Sequence, residues 1–364
     1  MFSPGKKQAQ QLAHNLLSGH CALIAWWALR HAGVFDAMLK LKAEEKTGLN
    51  PLVFATRTNM SAEVLEALLQ YLASANLITF KKDGVHFTPE GQALFDHEDG
   101  TLGLFRAYQP TLDNVEHLLA KLRTPSAVAR KPEYLLESQA QRYADEVFPA
   151  IDTLVAAHKF SHLLDLTCGN GELLMHILQH RKNIVGVAIG SDSAAVRRAN
   201  NAITSADLDT RLIAVTANPT DACTDTQRTF DRIGISRQLW KDFDCVLATG
   251  LLTDLAGKPE EIVRILAAIS RHFPSAHLLL VEPVDSPRLQ KNYYAPELSL
   301  LMQLSRTAPL PTETWRDHFA AAKFKLLQEA PLTTEGLTLF LAKPLPQPAT
   351  DKPPPSREAD PRLA

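Results

Sequence analysis
Between residues 162 and 174 the chain reads His-Leu-Leu-Asp-Leu-Thr-Cys-Gly-Asn-Gly-Glu-Leu-Leu. An apolar run ends on Asp165, a short loop holds Gly169 and Gly171, and a helical pattern follows at once. That order predicts a strand, a tight turn and a helix N-terminus, the arrangement in which a cofactor approaches bare backbone. Gly169 and Gly171 lack a Cβ, so the loop can bend and a ligand can sit against it. A two-glycine loop alone is equally an ordinary turn, and its neighbours decide the case.

The neighbours alternate. Strand-like runs at 162–167, 183–189, 211–216, 243–248 and 276–282 are separated by helical patterns, as in a doubly wound parallel sheet. Two more, 324–330 and 337–342, are joined by Thr333-Thr334-Glu335-Gly336 and are short enough to pair antiparallel. Upstream, residues 8–40 read as helices, and the stretch 21–29 is apolar nearly all round, which predicts burial. Ser61 can cap a helix over 61–75 whose Val64, Leu65, Leu68, Leu69 and Leu72 form one stripe. Strand candidates at 77–80 and 85–88 flank Asp83-Gly84, a hairpin signal, and Pro89 opens the next helix. Helices followed by a two-stranded wing describe a winged-helix module.

At 364 residues the chain should hold two compact units. The divisions expected are a winged-helix dimerisation domain over 1–100, a helical connector over 101–160 broken at Pro110, Pro125 and Pro132, an α/β domain over 161–343, and a proline-rich tail over 344–364 that should be disordered. With 38 basic against 40 acidic residues, bulk charge predicts binding to neither nucleic acid nor membrane. The 61–75 helix carries Glu63 and Glu66 and no Lys or Arg, so as a recognition helix it would repel phosphates. The Trp26-Trp27 helix is better explained as part of a subunit interface. Four scattered cysteines with no C-x-x-C pair point away from a metal cluster or a disulfide framework. No apolar run suits a signal peptide or a membrane span, so a cytosolic protein is expected.

An alternating sheet that ends in an antiparallel hairpin, behind a winged-helix domain, resembles the class I S-adenosylmethionine-dependent methyltransferases, and more narrowly the small-molecule O-methyltransferases that dimerise through their first domain. The family's loop reads D-x-G-x-G-x-G. Asp165, Gly169 and Gly171 match it, and Thr167 replaces the first glycine. Phe243-Asp244-Cys245-Val246 is similar to the family's fourth strand, Leu279-Leu280-Val281-Glu282-Pro283 to its fifth, and the segment bounded by Trp315 and Phe324 to its C-terminal element. A hydride-transferring Rossmann domain lacks this terminal hairpin and prefers G-x-G-x-x-G.

The resemblance implies an S-adenosylmethionine cofactor held by Asp165, Thr167, Cys168, Gly169, Gly171 and Thr249, with Asn218 and Asp192 near the nucleoside. It also exposes departures. The ribose acid of the family's second strand falls on Ala188, in Gly186-Val187-Ala188. Asp192, four residues on, either reaches around to the ribose or caps the following helix, with Ser191 as the other candidate cap. Losing a charged contact to the ribose would cost about 1.5–3 kcal/mol, ten- to a hundredfold in affinity. The family's base, a His after the fourth strand, falls on Thr253, and threonine is no base near neutral pH. Asp254 and His318 are the substitutes considered, each with a plainer alternative: a cap for the first, surface or packing for the second. Tyr143 and Phe148 lie where the family often packs an aromatic on the cofactor. Tyr293, Tyr294 and Met302 are candidates for an apolar lid over the acceptor, with core packing the alternative. His176, His180 and His272 have no partner spacing, and Cys168 has no companion for a nucleophilic role.

Methyl transfer from an activated sulfonium is mostly alignment in a dry pocket. The resemblance therefore implies a homodimeric enzyme that methylates a small molecule, with an aromatic or polyketide-like hydroxyl as the expected acceptor. The substitutions at Thr167, Ala188 and Thr253 keep a second reading open: a degenerate cofactor site serving as a scaffold or for a reaction other than methylation.

Overall fold
The computed structural model describes residues 4–123, 130–255, 257–292 and 294–346. They fall into two compact units, one from Met1–Leu112 with Arg130–Arg142, the other from Asp113–Ala129 with Tyr143–Ala364. Tyr293, Pro125 and the tail beyond residue 346 lie outside the described residues.

In the first unit the apolar helix is Pro4–His31, followed by Val34–Glu44, Pro51–Thr58 and Ala62–Ser74. Ser61 caps the last of these through Val64 N, as its side chain predicts. Strands β1 (Ile78–Lys81) and β2 (Gly84–Phe87) pair antiparallel around Asp83-Gly84, and the helix Pro89–Ala107 follows. Trp26 is spent inside this unit and not at its surface: it is buried against Phe35 at 4.6 Å, and its Nε1 donates to the buried Asp99 Oδ1 at 2.8 Å. Trp27 Nε1 donates to the Leu102 carbonyl. The large apolar residues this helix leaves exposed are Leu12, Leu16, Leu17 and Ile24.

The boundary expected at residue 100 falls within the helix Pro89–Ala107. Gly100 and Gly103 lie within this helix, and their missing side chains let the helix Pro132–Ala144 approach. A Cβ on Gly100 would stand 2.8 Å from Arg142 Cγ, and Ser138 Oγ donates to the Gly100 carbonyl at 2.7 Å.

The second unit is the doubly wound sheet. Strands β3 (His162–Asp165), β4 (Val185–Gly190), β5 (Leu212–Thr216), β6 (Cys245–Thr249), β7 (His277–Asp285), β9 (Phe324–Pro331) and β10 (Leu337–Pro344) stand in the order β5-β4-β3-β6-β7-β10-β9; the two-residue β8 (Leu310–Pro311) pairs with β7. The first five strands pair parallel; β10 runs antiparallel to β7 and β9. Each strand except β8, which the sequence did not predict, lies within about three residues of its sequence-derived range. Continuous apolar runs such as Leu278–Leu280–Val281 suit strands covered on both faces. One core packs Trp315, Phe319, Ile265 and Ile269 on Phe340 and Val246; the other packs Ile151, Val155, Leu174 and Ile177 on Leu163, Leu247 and Leu341.

Candidate functional site
From β3 the chain winds outward through β4 to β5, then returns to place β6 on the other side of β3. Strand order reverses between β3 and β6, and in open parallel sheets the crevice outside the carboxyl ends at such a point is where ligands bind. Two threonines meet across it. Thr167, just past β3, and Thr249, the last residue of β6, have hydroxyls 3.1 Å apart, and Thr249 N donates to Thr167 Oγ1 at 2.9 Å. A glycine at 167 could make neither contact.

Beneath them Asp165 is almost wholly buried, and its Oδ1 accepts from Thr167 N at 2.8 Å and Thr167 Oγ1 at 3.1 Å. Burial lifts its pKa to about 6, although the Thr167 bonds oppose the rise. The turn then closes with Gly171 N donating to the Cys168 carbonyl at 2.7 Å. Gly169 and Gly171 have φ of 55° and 88°, the left-handed region where a Cβ is strained. A Cβ on Gly171 would also press on Ala199 Cβ at 3.3 Å. Cys168 is buried, its N tied to the Ile189 carbonyl, and burial pushes its thiol far up, so it is no nucleophile. Glu172 opens the helix Glu172–His180 and accepts from Asn170 N at 3.0 Å; burial raises its pKa.

The carboxyl ends of β4 and β5 are different. Ala188 is fully buried in β4, opposite Asp165 in register. Asp192 is the N-cap of the helix Ser193–Ser205: its Oδ1 accepts from Ala194 N at 2.7 Å and Ala195 N at 3.2 Å. Asn218, exposed, likewise caps the helix Pro219–Thr224 through Thr220 N. Both side chains thus have a structural task at the carboxyl edge of the sheet.

The segment after β6 carries Leu252, Thr253 and Asp254. Asp254 is exposed in a short 3-10 turn, Thr253–Leu255. Thr253 Oγ1 donates to Glu282 Oε2 at 2.6 Å, and Leu252 N donates to Glu282 Oε1 at 2.7 Å. Glu282 is completely buried in β7, and burial raises its pKa to about 7 against the opposing pull of those two bonds, with Asp254 adding a like charge. Sequence reasoning used Glu282 only as a strand landmark. A carboxylate in an otherwise apolar, doubly covered strand was the signal available.

His318 is not brought to this cluster by any hydrogen bond. It is buried in the helix Thr312–Ala321, edge-on to Trp315 at 6.1 Å, its Nε2 without a partner and its pKa lowered by burial. Tyr143 and Phe148 pack edge to face at 6.4 Å, with Phe148 beside His176. Tyr294 and Met302 are half-buried, at the start of and within the helix Ala295–Ser305.

No protein-family model matches the chain, and no curated protein matches its sequence. Solved structures do match its fold. Mitomycin 7-O-methyltransferase MmcR aligns over 94% of this chain and 99% of its own with a TM-score of 0.62 and 14% identity. LaPhzM aligns over 93% and 99% with a TM-score of 0.65 and 19% identity. Human N-acetylserotonin methyltransferase, solved in complex with SAM, aligns over 94% and 98% with a TM-score of 0.61 and 15% identity. At these identities the likeness is one of architecture, from the helical first unit to the terminal antiparallel hairpin: this chain has the fold of the small-molecule O-methyltransferases.

Proposed function
We propose that the chain is an S-adenosylmethionine-dependent methyltransferase acting on an oxygen of a small aromatic or polyketide-like molecule. The observation that carries this is the glycine turn at the reversal of strand order, with Asp165 buried beneath it and Thr167 joined to Thr249 across it. The amino-acid end of such a donor fits: the left-handed glycines present backbone without a Cβ, and Asp165 offers a carboxyl close below. The ribose end fits less well, because Ala188 supplies no carboxylate and Asp192 is engaged as a cap. When bound, the sulfonium supplies an electrophilic methyl group. The protein's own work is to hold Thr167 and Thr249 in place, exclude water and orient the acceptor oxygen.

Calorimetry with S-adenosylhomocysteine tests this reading. Binding that is weakened at least tenfold by Asp165→Ala supports it, and affinity indifferent to that change removes the site. The finer parts of the reading are a homodimer formed through the first unit, supported by the exposed Leu12, Leu16, Leu17 and Ile24, acceptor contacts from Tyr294 and Met302, and a cytosolic location. Sedimentation of the full chain checks the dimer.

A second reading rests on a specific observation, the loss of the ribose carboxylate with Asp192 already committed. Under it the scaffold binds the nucleoside weakly or not at all and serves another purpose. Absence of any thermal shift at millimolar S-adenosylmethionine favours it.

A further inference from the structure
Glu282 is a wholly buried carboxyl that reaches outward through a half-buried hydroxyl. Its two oxygens are both engaged, one by Leu252 N at 2.7 Å and one by Thr253 Oγ1 at 2.6 Å. Thr253 stands four residues beyond Thr249, which borders the crevice at the β3–β6 reversal. A threonine that donates its own proton to a carboxylate keeps its lone pairs to accept a proton from something else. We propose that Thr253 and Glu282 form a two-step proton relay that ionises the acceptor hydroxyl, an inference that rests on the methyl-transfer reading above.

The proton balance is simple. The acceptor O–H bond breaks and its proton passes to Thr253 Oγ1, while the proton Thr253 already carries passes to Glu282 Oε2. The electron pair left on the acceptor oxygen is the nucleophile. Glu282 ends as the neutral acid, and its proton returns to water by the same path. Threonine is never the base here; it conducts.

The surroundings of Glu282 suit a group that takes a proton and gives it back. From β10, Thr338 stands opposite it in register. The segment after β6 contributes Leu252, Thr253 and Asp254, and the charge that acts on it, Asp254, has the same sign. Burial and that charge hold its pKa at about 7, near the value at which a base works best in neutral solution.

The test combines infrared spectroscopy with a transfer assay on the full chain. The carbonyl stretch of protonated Glu282, identified as the band lost in Glu282→Gln, should titrate near pH 7, move to higher pH in Thr253→Val, and return in Thr253→Ser. Radiolabel transfer from S-adenosylmethionine to 4-methylphenol should fall about 10²–10⁴-fold in Thr253→Val, as loss of general-base help does. Transfer to the more acidic 4-nitrophenol should fall less than tenfold, because that acceptor ionises unaided. A midpoint unmoved by Thr253→Val, no band assignable to Glu282, or equal losses with both phenols would each overturn the relay. Failure of S-adenosylhomocysteine to bind would instead count against the methyl-transfer reading, and the infrared titration would still decide the pair.

Discussion
Glu282→Gln should make the protein more stable at alkaline pH and leave it nearly unchanged at pH 5. The carboxyl is completely buried, and its pKa stands at about 7 in the folded chain against an ordinary 4.5. A tenfold change in proton affinity is worth 1.36 kcal/mol, so ionising this side chain in place costs about 3 kcal/mol more than ionising it in the unfolded chain. The folded state binds the proton more tightly. The stability this contributes is therefore full below about pH 4.5 and lost as pH rises through about 7. Glutamine has nothing to ionise, keeps an oxygen for Leu252 N, and lets the Thr253 hydroxyl turn to accept from its amide. At pH 8.5 the variant should gain up to about 3 kcal/mol over wild type relative to the difference at pH 5. Urea unfolding followed by far-UV circular dichroism at pH 5, 7 and 8.5 measures it. Asp165, lifted to about 6, contributes a smaller loss of the same sign at lower pH, which Asp165→Asn should remove in turn. If Glu282→Gln destabilises the protein equally at every pH, Glu282 is ionised throughout that range and the two hydrogen bonds outweigh its burial.

Three further perturbations have definite outcomes. Gly171→Ala should cost about 1–2 kcal/mol from its left-handed backbone, with more from the contact at Ala199, and should weaken S-adenosylhomocysteine binding in calorimetry. Asp99→Ala strands the buried Trp26 N–H and takes one of three carboxylates from Arg30, which keeps Asp36 and Glu137, and should cost about 1–3 kcal/mol in urea unfolding. Glu146→Ala removes an acceptor for both the N–H and the hydroxyl of Thr333 and Thr334. Burial raises the Glu146 pKa, but those bonds outweigh it and hold the carboxyl below its ordinary range, so its contribution is lost as pH falls through the folded pKa. For a half-buried group the loss should be about 1–2 kcal/mol, read as a smaller acid-side fall in stability for the variant.

The architecture was legible because its signals are local. Runs such as Leu278–Leu280–Val281 with helical periods between them impose a parallel sheet, and a left-handed turn after Asp165 follows from Gly169 and Gly171. Asp192 was legible as a cap from its place before a helix, and it is one; Asn218, read only as a neighbour of the nucleoside, is a cap as well. What stayed hidden depends on pairs distant in sequence. Trp26 reads as interface until Asp99, 73 residues away, is seen to take its N–H. Thr167 reads as a defect in a glycine motif until Thr249, 82 residues on, is seen beside it. Glu282 reads as a strand landmark until Thr253 is found on its outer oxygen. Periodicity carries no information on which buried carboxyl meets which hydroxyl.

The two departures from the resembled pattern thus differ in physical kind. At Ala188 a carboxylate is absent and the nearest candidate, Asp192, has its Oδ1 committed to two backbone N–H groups. Recruiting it to a ribose would uncap a helix at about 1 kcal/mol, so nothing nearby restores that contact without loss. At Thr253 an imidazole is absent, but the carboxyl below it changes character because of that absence. A titratable cation at 253 would hold Glu282 ionised and lower its proton affinity. A hydroxyl cannot, so burial outweighs the Thr253 and Leu252 hydrogen bonds and the carboxyl rises to about 7. Removing the customary base therefore creates a group with the proton affinity of a base one hydrogen bond further in. On the proposed reading the first change would weaken the hold on a donor, and the second would move the proton acceptor from the crevice into the sheet.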